Sequence, residues 1–148
     1  MTAPIYVVSY TLHDAELLSL RTTPVNLFPV IPSRYKAIPM QLVLDWTCGG
    51  IAIFSNLATG DLQVRDTFSG LSYIAGSSLG LLDKNSQSVQ VVGANSTPKN
   101  VGTAAGAQGI FLINGATDYQ GGDPDGNSNN LKVTLIYRKY DALNGLFV

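Results

Sequence analysis

Apolar and polar positions alternate most cleanly from Leu131 to Tyr140. Leu131, Val133, Leu135 and Tyr137 fall on one face, and Lys132, Thr134, Ile136 and Arg138 on the other. A period of two marks a strand with one face in a core. Met40 to Trp46 repeats the pattern, with Met40, Leu42, Leu44 and Trp46 sharing a face. Ile5 to Thr11 is dense in β-branched and aromatic residues and predicts another strand. Val25–Phe28 runs into Pro29 and Pro32, which suit an edge or a strand end. Ile51–Phe54, Leu62–Arg65 and Ile110–Ile113 complete the shorter runs.

The period changes only at His13–Leu20, which predicts the single helix. Leu17, Leu20 and Arg21 are helically spaced, Asp14 and Glu16 occupy the first turn where the helix dipole favours anions, and Thr11 is placed to cap it. Pro24 stops the helix, because the residue before a proline is pushed out of the α region. Between Phe68 and Gly109 the pattern loosens to recurrent Gly, Ser and Asn. Only Leu79–Leu82 and Val89–Val92 read as structured there, and a long surface excursion is expected. Eight or so short strands separated by turn residues predict an all-β chain: one antiparallel β-sandwich or jelly-roll-like domain over residues 1–148, with one short N-terminal helix.

Composition narrows the function more than the motifs do. The chain has 148 residues with one His (His13), one Cys (Cys48) and 13% charged residues, against roughly 25% in an average protein. Either neighbours cover part of the surface, or that surface is neutral, hydroxyl-rich and wet. A net charge of −1 with scattered Lys and Arg leaves no footprint for nucleic acid. No apolar run approaches the roughly 18 residues of a membrane span. Met1–Pro4 has neither a basic nor a hydrophobic leader region, so no signal peptide and synthesis in a reducing cytoplasm are expected. A lone cysteine makes no internal disulfide, and Cys48, after an apolar run, reads as a small buried hydrophobe.

Candidate chemistry is sparse. Gly121–Asn127, with Asp118 nearby, invites a calcium reading, but the EF-hand spacing and closing Glu are missing and Pro124 interrupts the nearest match. Asp-Gly and Gly-Gly read first as turn-formers. Asp45, Asp61 and Asp66 could supply a glycosidase-like carboxylate pair, yet solvated turns explain them equally simply. His13–Asp14 reads as a helix start, no Gly-x-Ser-x-Gly is present, and Gly102–Gly106 lacks the ending of a phosphate loop. No cofactor, metal or catalytic group is expected, and a non-enzymatic surface function follows.

The stretch Asp14–Pro29, a short helix running into Thr-Thr-Pro-Val, resembles the opening of small structural proteins of tailed bacteriophages. A Leu42–Asp45 strand, a Gly121–Asp123 loop and a final Val133–Tyr137 strand are similar as well; Phe54 to Gly109 is unmatched. The resemblance implies a virion component made in the host cytoplasm, of the capsid decoration or cement type. Such proteins are β-rich, often trimeric, and sit over junctions between shell subunits. The implied partners are the major capsid protein of the same virion and further copies of the chain, with a homotrimer expected. Contacts are expected from Phe54–Gly109 and the Leu143–Val148 tail, with Phe54, Phe68, Tyr73 and Phe147 as candidate interface residues. The alternative is a receptor- or glycan-binding module of a phage fibre or tail, which needs an exposed aromatic platform.

Overall fold

A computed structural model of the chain describes residues 3–32, 34–49, 53–66, 72–96, 108–126 and 128–148. The strands are β1 (Tyr6–His13), β2 (Val25–Ile31), β3 (Tyr35–Thr47), β4 (Phe54–Ser55), β5 (Leu62–Asp66), β6 (Ser72–Gly76), β7 (Ser88–Gly93), β8 (Gln108–Asn114), β9 (Gln120–Gly121), β10 (Asn130–Asp141) and β11 (Leu146–Phe147). One helix, α1 (Asp14–Ser19), follows β1. The first sheet has the order β1-β10-β3-β7, with β11 also paired to β10, and the second has the order β2-β8-β5-β6. All pairs are antiparallel. Leaving aside the two-residue strands and numbering the remaining eight along the chain, the sheets run 1-8-3-6 and 2-7-4-5. That is the nested Greek-key order of a jelly roll.

The core lies between the sheets. Leu12, Leu42, Leu44, Trp46, Leu131, Val133 and Leu135 come from the first, and Leu62, Val64, Ile74, Ile110 and Leu112 from the second; each is fully buried. Leu131, Val133 and Leu135 take the inner face that alternation predicts, and Tyr137 is half-buried beside them. β2 is an edge strand, which suits Pro29 within it, and it ends before Pro32.

Met40 departs from its expected face. Gln41 pairs with Ile136 and Pro39 with Tyr137, so Met40 is an extra residue in β3, a β-bulge opposite the Ile136–Tyr137 step. The bulge turns Met40 out to solvent and reverses the phase of the strand. Pro39 is tolerated here because β7 pairs only with Gln41–Trp46, leaving no ladder bond for its missing N–H.

The helix begins one residue later than expected and is capped by His13 rather than Thr11. β1 continues to His13 because Leu12 and His13 still pair with Leu131 and Asn130. The Glu16 carboxylate then accepts the His13 N–H at 3.3 Å.

Within Phe68–Gly109 the described residues form structure rather than an excursion. β6 and β7 occupy it, and Tyr73, Ile74, Leu81 and Leu82 enter the core. Its signal is weak because β7 reverses the usual code: Val89 and Val91 face out while Gln90 turns toward Ser77, whose N–H it accepts at 2.8 Å. Ile51 and Ala52 of the Ile51–Phe54 run, and the Gly102–Gly106 segment, lie outside the described residues.

Candidate functional site

The carboxylates are interior fasteners. Asp61 and Asp66 are 2% and 1% exposed, which overturns their reading as solvated turn residues. Asp61 opens β5 and accepts from the Ser78 N–H at 2.8 Å, the Ser78 hydroxyl, and the Tyr119 hydroxyl at 2.9 Å. Burial, reinforced by the Asp61 charge, pushes the Tyr119 phenol well above its ordinary value. Asp66 closes the same strand and accepts from the Tyr73 hydroxyl. The two are five residues apart, about 17 Å along a strand, and half-buried Asp45 stands in the other sheet beside Gln87. They do not form a glycosidase pair.

The acidic loop is held in the same manner. Asp14 is fully buried at the start of α1 and accepts from the Asp123 N–H at 2.6 Å and both nitrogens of Asn129. Asp123 accepts the Gly126 N–H at 3.1 Å, and Asp118 reaches toward Arg21 at 3.8 Å. Among the described residues no three His, Cys, Asp or Glu side chains gather to hold a metal. His13 is exposed, and Cys48 is half-buried against the core.

Of the candidate interface residues, Phe54 and Tyr73 are 2% and 6% exposed and belong to the chain's own core. Phe54 packs edge-on between Trp46 and Tyr119, with centroids 5.8 and 6.3 Å away, and the Trp46 indole N–H is satisfied by the Lys84 carbonyl at 2.9 Å. Neither ring has a face to offer a neighbour; a hydrophobic run in sequence does not tell inward from outward. Phe68 lies outside the described residues. Phe147 is 44% exposed.

Phe147 belongs to an apolar edge of the surface. β11 and β1 lie end to end along the same side of β10, since β3 takes the other side. Six of the eleven large apolar side chains exposed among the described residues sit on this edge: Ile5, Val7 and Tyr10 at β1, and Leu143, Leu146 and Phe147 on the terminal hairpin. Tyr6 stacks on Tyr137 at 5.5 Å and donates its hydroxyl to the Val148 carbonyl at 3.1 Å, joining the two strands. The Lys139 ammonium lies 4.7 Å from the Tyr6 ring centre, and the Arg138 guanidinium 5.8 Å from that of Phe147.

Asp141 fixes the hairpin. It takes a two-pronged bond from Arg34, at 3.0 and 2.6 Å, and accepts the N–H of Leu143 at 3.0 Å. The Arg34 bond holds its carboxyl down to about 2. At the far end of β1, Tyr10, Glu16, Ser19 and Thr23–Asn26 line an open cleft of about 330 Å³. The Tyr10 hydroxyl donates to Glu16 at 3.0 Å, which raises the affinity of that phenol for its proton. Alternation could not have revealed this edge, because strand order decides which strand is outermost.

No protein-family model matches the chain, and no curated protein does. Among solved structures it is similar to a chain of the cyanophage Pam1 capsid asymmetric unit, at 15% identity and a TM-score of 0.41, over 91% of this chain and 83% of that one. It is also similar to a Stig cyclase, Fisc from Fischerella sp. TAU, at 16% identity and a TM-score of 0.36, over 76% and 53% of the two chains. No residue role is carried over from them. No helix among the described residues is long and apolar enough to cross a membrane.

Proposed function

We propose that the chain is a non-enzymatic structural protein of a phage virion, of the decoration or cement type, that binds the major capsid protein from outside and stabilises the head. The observation that carries this reading is the concentration of exposed apolar side chains on one sandwich edge, in a chain whose buried carboxylates serve its own fold. Function then rests on contact area. Interfaces of roughly 1,200–2,000 Å² give specific association without a reactive residue, and repetition over a shell adds avidity. The chain acts as a homo-oligomer; the expected homotrimer is one closed arrangement, and light scattering on purified protein measures it.

Particles lacking the protein should still assemble but burst at lower temperature or under milder osmotic shock, because bridging contacts raise the barrier to opening the lattice. Their adsorption to cells should be unchanged. The second reading is a receptor- or glycan-binding module, favoured by the cleft at Tyr10, where an exposed ring, a carboxylate and the Asn26 amide converge. It predicts the reverse: robust particles that no longer adsorb.

A further inference from the structure

Edge strands carry unpaired N–H and C=O groups, and proteins protect them with charge, proline, bulges, short length or a covering element. Two of the four sheet edges here are protected in this way. β2 contains Pro29 and two register irregularities. β6 is five residues long and faces a register shift in β5. β7 also lacks proline and charge, but it is only six residues long, and its Gln90 amide is engaged with the backbone of Ser77. β1 packs against β2 and α1, but it is the longest of the four edges. Its eight residues, Tyr6–His13, contain no proline and no Asp, Glu, Lys or Arg, and they pair with β10 without a break. Every second residue of such a strand directs both backbone groups away from its sheet.

We propose that the β1 edge is a self-association site, where a second copy docks its own β1 antiparallel across a two-fold axis near the middle of the strand. The two four-strand ladders would join into one sheet. An antiparallel pairing of β1 with itself opposes only uncharged residues, and places Val8 near Tyr10 of the second copy, a favourable β-branched–aromatic neighbour. It also brings the hairpin end of one copy to the α1 end of the other. Lys139, on the same face of the sheet as Tyr6 and Tyr10, then approaches Glu16 of the second copy, an opposite-charge contact that symmetry makes twice. With β11 included the edge follows β10 from Asn130 to Asp141, about 40 Å, and, for sheets about 10 Å apart, is roughly 20 Å deep with side chains. That approaches the ~800 Å² each partner contributes to a standard interface. The proposal rests on the same apolar edge as the virion reading and gives that edge to a second copy; the test needs no shell, so its failure leaves the virion reading to the particle experiment.

Sedimentation velocity on the purified chain tests it. A two-fold contact alone closes at two copies, and combined with three-fold packing it closes at six. A dimer or a hexamer is expected. The double variant Val7→Lys/Ser9→Lys, which sets like charges opposite each other, should halve that assembly or raise its dissociation constant at least tenfold, with an unchanged circular dichroism spectrum. Val89→Lys/Val91→Lys, on the other edge of the same sheet, should leave it intact. Lys139→Glu and Glu16→Lys should each weaken association and together restore it, a rescue that loss of Glu16's bonds within its own chain cannot produce. A monomer at 100 µM, a trimer indifferent to the β1 substitutions, or dissociation by the β7 substitutions instead would overturn the proposal.

Discussion

Asp14 and Asn129 are 115 residues apart in sequence and joined by two hydrogen bonds: the Asp14 carboxylate accepts the Asn129 backbone N–H at 3.0 Å and its side-chain amide at 2.7 Å. With the third bond from the Asp123 N–H, the pair ties the start of α1 to the loop that enters β10. Asp14→Ala strands these donors in the interior. Unmet buried donors cost ~1–3 kcal/mol each, so a loss of roughly 3 kcal/mol or more is expected from urea denaturation. Asp14→Asn, which keeps one accepting oxygen, should fall between.

Arg34 and Asp141 set an acid limit. The folded-state value of Asp141, about 2, lies below its ordinary 3.8. The stabilisation is therefore complete above about pH 4 and is lost as pH falls through 2. Arg34→Met should lower stability at pH 6 and flatten the decline between pH 4 and 2, so that variant and parent converge at the acid end. Thermal melts across that range measure the difference.

Tyr119 sets the alkaline limit. Its phenol is raised by burial and by Asp61, so the folded chain keeps a proton that the unfolded chain releases near pH 10. Stability should be fully present below pH 10 and fall above it. In an absorbance titration of the seven tyrosines, Tyr119 should ionise only as the chain unfolds. Tyr119→Phe removes that late step.

Gly122 has φ +71°, and an added Cβ would stand 2.6 Å from the Phe54 ring. Gly122→Ala should cost ~1–3 kcal/mol through the left-handed backbone and the displaced ring. A matched Gly60→Ala change has a similar φ of +68° but no neighbour within 4 Å. It isolates the backbone part of the cost.

The Asp118–Asp125 loop should not depend on a cation. A bound divalent ion would stabilise the folded state by mass action, so EDTA should leave the melting temperature unchanged. A fall of more than a few degrees would contradict the turn reading.

The strands that were legible in the sequence are those whose hydropathy follows the pleat. Leu131, Val133 and Leu135 announce β10 because each apolar side chain points inward. Val89–Val92 marks β7 as structured, but Val89 and Val91 point outward, so its faces become readable only once its edge position is known. The carboxylates were illegible for a different reason. A buried Asp is recognised by its donors, and those of Asp61 include Tyr119, 58 residues away. Phe54 and Tyr73 looked like surface anchors because their short strands lack alternation, although β4 and β6 carry both rings into the core. Among the described candidates Phe147 alone lies outside, on a hairpin too short to bury it.

The bulge at Met40 makes one position of β3 dispensable to its pairing. Gln41 and Pro39 already face consecutive residues of β10, so a chain lacking Met40 keeps every partner from Tyr35 to Thr47. Losing Val43 instead would slip half the strand by one residue and exchange its inner and outer faces. Natural variation in strand length should therefore be accepted at Met40 and rejected three residues further on.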